Sequence, residues 1–341
     1  MQPETSPATP PFATLLQMLL GRWVSWAIST AAKLGIADHL EAGPKSTEQL
    51  AKELGLHEMA LYRLMRALAS VGVFHEGDGR LFSQTSSSDV LRSNAKPSLR
   101  NMAMLLADRW HSGAWGELAW TVESGLPGTQ KIFGMNLFAY LSQHPAEAVN
   151  FNNAMADLSG GDGPAVVASY DFSRFERIVE VGGGSGALLA AILHSAPKLR
   201  GVLLDLPYVI EQARKAPLLA SYAARCEFAG GSFFDAVPEG ADAYILKHVI
   251  HDWDDERAAQ ILANCRKAIR PGGKLLVVER VVGPPNQPDP AKLMDLEMMV
   301  LPGGLERSEP EWRSLLAASG FRLDRIIPMP APQSILEAAP A

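Results

Sequence analysis

The sequence has 341 residues, a formal net charge of −6, 47% apolar residues and 20% charged residues. This balance is typical of a folded protein with one large domain or two ordinary ones. The acidic charge argues against a nucleic-acid surface, because phosphate binding needs a concentrated basic face. Two cysteines, Cys226 and Cys265, are too few for a disulfide scaffold or a cysteine-based zinc site.

The N-terminal segment predicts neither a signal peptide nor a membrane anchor. "MQPETSPATPPF" has no basic stretch leading into an apolar one, and no clear run of 18 apolar residues follows. We therefore expect a cytoplasmic protein. Between Phe12 and about Leu40 the apolar residues recur at helical spacing. They include Leu15, Leu19, Trp23 and Trp26, a stripe wider than a monomeric helix needs, which indicates a homodimer.

Residues 46–84 predict a winged helix. A helix begins at Ser46, a second runs from about His57 to Ser70, and two short β segments follow around a Gly-Asp-Gly turn. One interpretation is a DNA-binding regulator, and the other is a packing or dimerisation module. The second helix carries only Arg63 and Arg66 as cations, whereas base reading needs several polar side chains, so the second interpretation is favoured.

Residues 97–165 read as mostly helical. Aromatic and methionine residues without strict periodicity, and an exit through "SGGDGP" that suggests flexibility, favour a lid or a pocket wall. A pair of core-packed linker helices is an equally good interpretation.

From Phe175 onward, short apolar strands alternate with helices. "RIVEV", "GVLLDL", "CEFAG", "DAYILK" and "GKLLVVERV" are separated by helical stretches at 187–195, 208–221 and 254–269. This alternation predicts a doubly wound α/β domain with a parallel sheet covered on both faces. Its ligand should lie at the carboxyl ends of the strands.

The first of these strands runs into a glycine-rich loop, "EVGGGSGA". Gly182 and Gly184 allow a tight turn and close approach of a ligand, but the loop also fits a dinucleotide fingerprint. Asp205, at the end of the next strand, can accept hydrogen bonds from the ribose of a nicotinamide dinucleotide or of S-adenosylmethionine. Glu180 suits a cofactor that carries an ammonium and a sulfonium, which favours S-adenosylmethionine over a nicotinamide.

The stretch "LKHVIHDWDDE" places His251 where a strand ends, at the expected ligand edge. A metal site with His248 and Asp252 is disfavoured by the spacing, and a purely structural histidine is a second alternative. The favoured interpretation is a general base, which needs a carboxylate to orient its ring. Asp252, Glu279 or Glu306 could supply it, although Glu279 could instead form a salt bridge and Glu306 could be a solvated loop acid.

Taken together, these motifs resemble the small-molecule S-adenosylmethionine-dependent O-methyltransferases of the caffeic acid and hydroxyindole type, especially bacterial members that modify aromatic secondary metabolites. "EVGGGSG", "LDLP", "HDW" and "GGLERS" carry the resemblance over nearly the whole chain. It implies a winged-helix dimerisation domain at 1–96, a helical linker or lid at 97–165, and a Rossmann-like catalytic domain at 166–341.

The resemblance also implies residue roles, with no metal ion. The catalytic group would be His251 as base, with Glu279, Glu306 and Asp252 around it. The cofactor would be held by Glu180, Gly182, Gly184, Asp205, Leu206, Ser232, Phe233 and Lys247. The apolar substrate pocket would include Trp110, Phe138, Met155, Met294 and Met298. One departure is Ser232, where the family usually has an acid, and this change predicts weaker adenine binding.

The expected reaction is transfer of a methyl group to a hydroxyl of an aromatic or polyketide-like molecule. Complete deprotonation of a phenol by an ordinary histidine would cost roughly 5 kcal/mol, so proton removal should accompany methyl transfer unless the substrate is more acidic. One alternative is a cofactor-binding relative that hydroxylates or decarboxylates an aromatic metabolite. Another is a winged-helix regulator, which the net charge disfavours.

Overall fold

The computed structural model describes residues 10–215 and 217–341, which form two compact units. The first unit comprises residues 10–112 and 141–158, and the second comprises residues 113–140 and 159–341. The proposed division at 96 and 165 stays a prediction.

The first unit begins with α1 (Pro11–Lys33) and contains the predicted helix pair and hairpin. Further elements, in chain order, are α2 (Ile36–His39), β1 (Lys45–Ser46), α3 (Thr47–Leu54), α4 (Glu58–Ser70), β2 (Phe74–Gly77), β3 (Leu81–Gln84), α5 (Ser86–Asp89) and α6 (Arg100–Leu106).

Six helices follow: α7 (Arg109–Gly116), α8 (Leu118–Ser124), α9 (Gly128–Phe133), α10 (Leu137–Gln143), α11 (Pro145–Ser159) and α12 (Asp162–Ser169).

The second unit continues with β4 (Arg177–Val181), α13 (Ala187–Ser195), β5 (Arg200–Asp205), α14 (Pro207–Lys215), β6 (Cys226–Gly230), β7 (Ala243–Lys247), α15 (Asp255–Ala268), β8 (Lys274–Glu279), β9 (Val281–Val282), α16 (Pro290–Val300), β10 (Arg307–Ser308), α17 (Glu309–Ala318), β11 (Phe321–Pro328) and β12 (Ser334–Pro340). The single helix expected at 208–221 is instead α14 followed by a short 3₁₀ turn, Pro217–Tyr222.

Local signals explain the winged-helix elements. The Ser46 hydroxyl accepts from the Gln49 backbone while the Gln49 side chain accepts from the Ser46 backbone, a complete capping box at the start of α3. Gly55 ends that helix in the left-handed conformation. The sheet also contains β1, which the sequence did not suggest, in the order β1-β3-β2.

Helix α1 has an uncovered apolar face. Phe12, Met18, Leu19 and Trp23 each expose 67% or more of their surface. Exposed apolar area of this extent on one helix is typical of a protein–protein contact. Across the described residues, no helix is both long enough and apolar enough to cross a membrane.

A seven-stranded sheet, ordered β11-β12-β8-β7-β4-β5-β6, organises the second unit. The five strands from β8 to β6 pair in parallel, as predicted. The edge formed by β11 and β12 is antiparallel and was not foreseen. Buried apolar clusters cover both faces of the sheet. The carboxyl ends of β4, β5, β7 and β8 therefore lie side by side at one edge.

Candidate active site

The glycine loop leaves β4 through a backbone that side chains would obstruct. Gly182, Gly184 and Gly186 have φ of 70°, 57° and 76°, the left-handed region that glycine tolerates. A Cβ on Gly183 would lie 2.4 Å from Leu203 and 2.6 Å from Glu180, whereas one on Gly184 would meet nothing within 4 Å. The loop is thus packed against the sheet beneath it and open above Gly184.

Glu180 is a buried carboxylate directly below this loop. It exposes 2% of its surface, and its Oε2 accepts from the Leu189 N–H at 3.1 Å. Burial raises the pKa of Glu180 to about 8, although the nearby Lys247 opposes the shift. Because Lys247 and one hydrogen bond offset only part of the cost of burying its charge, Glu180 would be stabilised in its ionised form by a cationic ligand.

Asp205 ends β5 beside the loop. Its Oδ2 accepts from the Gly184 N–H at 2.8 Å and its Oδ1 from the Leu206 N–H at 2.7 Å. Burial raises the pKa of Asp205. A carboxylate has about four acceptor positions, so both oxygens can still accept hydrogen bonds from a pair of ligand hydroxyls. Leu206 is 42% exposed at the same position.

Ser232 and Phe233 follow β6 at the same edge of the sheet. The Ser232 hydroxyl accepts from the Phe234 N–H at 3.2 Å, which shapes the turn. The Phe233 ring packs edge-on against Trp253, with centroids 6.3 Å apart.

Lys247 ends β7 and is tied to the end of α11 and the start of α12. Its Nζ donates to Ser159 Oγ at 2.9 Å and to Asp162 Oδ2 at 3.1 Å. The "SGGDGP" segment, read from sequence as a flexible exit, therefore anchors this lysine. Sequence reasoning missed Asp162 because its partner is 85 residues away.

His251 sits in the 3₁₀ turn Ile250–Asp252 between β7 and α15. Its Nδ1 lies 2.9 Å from Glu306 Oε1 and 3.5 Å from Glu279 Oε2, and its Nε2 lies 3.7 Å from Asp252 Oδ1. Glu306 is the hydrogen-bonded partner of Nδ1. With a carboxylate accepting there, Nδ1 would carry the proton, which leaves Nε2 as the nitrogen that can act on a substrate. The structure thus brings together all four residues of the predicted catalytic group.

The two glutamates hold His251 in different ways. Glu279 Oε1 accepts from the backbone N–H groups of Val249, Ile250 and His251 at 3.0, 3.1 and 3.4 Å. The sequence alone could not separate these roles: Glu279 anchors the turn, and Glu306 orients the ring.

Electrostatics within this group are dominated by burial and by the surplus of acids. Burial by itself lowers the pKa of His251, but the Glu279 charge, the Glu306 hydrogen bond and the Asp252 charge together raise it to about 10. Burial raises the pKa of Glu279 to about 7 and that of Asp252 to about 6.

The same cluster could hold a divalent cation. One donor atom each from His251, Glu279 and Glu306 lies within 4.8 Å of the others. Within residues 10–215 and 217–341, the Oε2 atoms of both glutamates lack a hydrogen-bond partner. An ion here would replace the proton on His251 Nδ1, so the candidate base would become a metal ligand. The expected absence of a metal stays a prediction.

His248 does not converge with His251 on a common point. Its ring stacks on the His251 ring, with centroids 5.4 Å apart and planes 20° apart. Its Nε2 lies 2.9 Å from the side-chain nitrogen of Gln333. Burial, then the charges of Lys247 and His251, lower the pKa of His248. It is a neutral packing partner of the candidate base.

The predicted pocket residues fall in both units. In the second unit, Phe138 lies 5.7 Å from Trp253 between ring centroids, and Met294 and Met298 lie on α16. In the first unit, Trp110 is buried against Phe151 and Met155 lies on α11. The shared pocket stays a prediction.

Comparison with known proteins identifies both parts of the chain. Residues 115–322 match the O-methyltransferase domain and residues 16–94 match the O-methyltransferase dimerisation domain. The phenazine O-methyltransferase PhzM of Lysobacter antibioticus is 42% identical over 98% of this chain and 97% of that protein. The phenazine-1-carboxylate N-methyltransferase of Pseudomonas aeruginosa is 33% identical over 96% of this chain and 97% of that protein.

A solved structure adds the cofactor. NcsB1, an O-methyltransferase of neocarzinostatin biosynthesis, was solved with S-adenosylmethionine and 2-hydroxy-5-methyl naphthoic acid. It is 32% identical with a TM-score of 0.81, over 93% of this chain and 96% of that chain. A loop open above Gly184, a buried acid below it and free acceptors on Asp205 suit such a cofactor. The chain belongs to the S-adenosylmethionine-dependent O-methyltransferase family and has that family's dimerisation domain.

Proposed function

We propose that this enzyme methylates a hydroxyl of a planar, fused aromatic metabolite in the cytoplasm, with His251 as the general base. The observation that carries the proposal is the 2.9 Å contact between His251 Nδ1 and Glu306 Oε1, within a turn held by Glu279. The acceptor class is supported by relatives whose names specify phenazine and naphthoate substrates.

The raised pKa of His251 suits a phenol. Transfer of a proton from a phenol of pKa about 10 to a neutral imidazole of pKa about 10 is nearly free of cost, against roughly 5 kcal/mol for an ordinary histidine. At neutral pH most of the His251 side chain is already protonated, so it must first lose that proton before it can act as the base. The imidazolium that forms is stabilised by Glu306 and Glu279. It then lies beside the phenolate and holds it for attack.

Bound S-adenosylmethionine would supply an electrophilic methyl group. We propose that Glu180 pairs with its ammonium, that Asp205 accepts from its ribose hydroxyls, and that Gly182 and Gly184 leave room for it. Ser232, Phe233 and Leu206 would surround its adenine. Lys247 would support this wall through Asp162 rather than contact the ring, because its ammonium is already engaged.

The direct test is a product assay. The purified enzyme would receive S-adenosylmethionine with hydroxyphenazines and hydroxynaphthoates, and with matched amino analogues. We expect a gain of one CH₂ unit by mass spectrometry on the hydroxy compounds, and NMR should place the methyl group on oxygen. Methylation of the amino analogues alone would contradict the proposal and favour a nitrogen acceptor, as in the N-methylating relative.

The serine at position 232 gives a second prediction. Ser232→Asp should tighten S-adenosylhomocysteine binding about fivefold, because a charge-assisted hydrogen bond to the adenine amino group replaces a neutral one. Calorimetric titration would measure it. Ser314→Asp, on the exposed side of α17, makes the same charge change and should have no effect. Equal affinities for the Ser232→Asp and parent proteins would show that this position does not face the adenine.

A further inference from the structure

We infer that Arg307 is a positioning residue for the base, which sets the geometry of His251 without touching substrate or cofactor. The inference rests on the proposed role of His251. Arg307 follows Glu306 directly, yet its guanidinium points into the protein and is fully buried, with 0% exposure. Burying an arginine charge costs desolvation free energy, so the groups that the guanidinium contacts indicate its role.

Those contacts converge on the turn that carries His251. Arg307 Nη1 donates to the Ile250 carbonyl at 3.3 Å, and Nη2 donates to the Trp253 carbonyl at 3.0 Å. These two carbonyls flank His251 and Asp252 on either side. Glu279 accepts from the N–H groups of the same turn. The backbone amides of the turn therefore bind Glu279, and its backbone carbonyls bind Arg307.

Asp255 forms an ion pair with the guanidinium. Nε and Nη2 of Arg307 both donate to Asp255 Oδ1, at 2.9 and 2.8 Å. Asp255 is the first residue of α15, and its side chain is 73% exposed. The guanidinium also lies over the buried Trp312 ring, 5.5 Å from its centroid. The arginine therefore links the turn to the start of α15.

The backbone just before Arg307 also contacts the turn that carries His251. A Cβ on Gly304 would lie 1.9 Å from the His251 carbonyl oxygen, so the two loops touch backbone to backbone. The short parallel pairing of β9 with β10 sets Arg307 opposite Val281, two residues after Glu279. This pairing brings Glu306 and Glu279 to the same imidazole. Arg307 thus fixes the distance from the His251 ring to both carboxylates.

The consequence is a base whose pKa depends on a residue that does not contact it. If the turn relaxes, the ring moves away from Glu306, and the pKa of His251 falls toward its ordinary value. The groups that face the ring are Glu279, Glu306, Asp252 and, stacked on it, His248. A residue with only a structural role would change the melting temperature and not the pH profile.

The test uses two pairs of variants in the full-length enzyme. Arg307→Met should lower kcat about 100-fold, the effect of a base misplaced by about 1 Å, and should shift the pH midpoint of kcat/KM downward. Arg307→Lys retains the charge near Asp255 and should recover about tenfold of that loss. S-adenosylhomocysteine affinity should stay within about twofold of the parent in both, because the cofactor residues are elsewhere.

Because loss of a buried arginine can prevent folding, Asp255→Asn provides an independent measurement. It leaves Arg307 in place, acts from an exposed position, and should lower kcat about tenfold with the same downward pH shift. Its matched control is Asp254→Asn, an adjacent identical change at the cap of α15 that does not contact Arg307. That control should keep the parent kcat and pH midpoint.

Unchanged kcat and pH midpoint in Asp255→Asn and in folded Arg307→Lys would overturn the inference. The proposed function would fail in a different way, through activity that survives the loss of His251. If the His251 variant is inactive while the Arg307 and Asp255 variants keep the parent kcat and pH midpoint, the positioning role of Arg307 is refuted and the proposed function is not.

Discussion

His251→Ala is expected to lower kcat about 1,000-fold while S-adenosylhomocysteine binds as tightly as to the parent enzyme. General base catalysis commonly contributes 10²- to 10⁴-fold, and here the residue also holds the phenolate by charge. The measurement is steady-state methylation of the best acceptor from the product assay, with calorimetric titration of S-adenosylhomocysteine alongside it.

The control for this variant comes from the same chain. His39 pairs with Glu53 at 3.1 Å through its Nδ1, as His251 pairs with Glu306, but on an exposed surface of the first unit. His39→Ala should leave kcat unchanged. Activity of His251→Ala within tenfold of the parent would assign proton removal to another group or to water.

The pH dependence of the parent enzyme follows from the same cluster. A raised pKa means that His251 is protonated at neutral pH, so the neutral imidazole is the minor form. Between about pH 6 and pH 8, kcat/KM should therefore rise about tenfold per pH unit for a phenol of ordinary acidity. A flat profile over that range would indicate that substrates bind already ionised, or that the bound cofactor lowers the pKa of His251.

Cofactor affinity is expected to rise about tenfold per pH unit up to about pH 8 and then to level off. Burial holds the pKa of Glu180 at about 8 in the cofactor-free enzyme, so Glu180 is protonated below that pH. The proposed pairing with an ammonium requires the ionised form, and binding must therefore release a proton. By linkage, affinity increases with pH wherever the free enzyme holds more protons than the complex.

This prediction would be measured by titrating S-adenosylhomocysteine at several pH values in two buffers that differ in ionisation enthalpy, which also counts the released proton. Glu180→Gln should bind more weakly and lose most of the pH dependence. Burial also raises the pKa of Asp205, so its ionisation would change cofactor affinity in the same direction. Equal slopes for the parent and Glu180→Gln would exclude Glu180 as the source.

Much of the organisation was accessible from the sequence because its signals are local. The Ser46 capping box, the glycines after β4 and the alternation of apolar strands with helices each depend on residues close together in the chain. Motif order then predicted the cofactor class and the neighbourhood of His251. The family and the cofactor class are confirmed by the comparisons, whereas the roles of individual residues stay predictions.

Other features depend on contacts between distant residues, which no local pattern reveals. At the antiparallel edge of the sheet, β12 pairs with β8 across more than fifty residues. Asp162 meets Lys247 from an apparently flexible segment. The sequence left open whether Glu279 or Glu306 orients the His251 ring, because the order of residues does not show which carboxylate reaches Nδ1.

By itself, then, the sequence determined the fold class of a dimerisation domain followed by a Rossmann-like domain, the cofactor class, and a histidine followed by an acid at the ligand edge. Only the tertiary structure decided which acid orients the ring, which anchors the turn, and that Arg307 secures the turn from its carbonyl side. The physical reason is that these roles depend on the direction and distance of hydrogen bonds, which exist only once the chain has folded. In the folded protein the Glu279 carboxylate accepts from three backbone amides, whereas the Glu306 carboxylate lies 2.9 Å from the His251 imidazole.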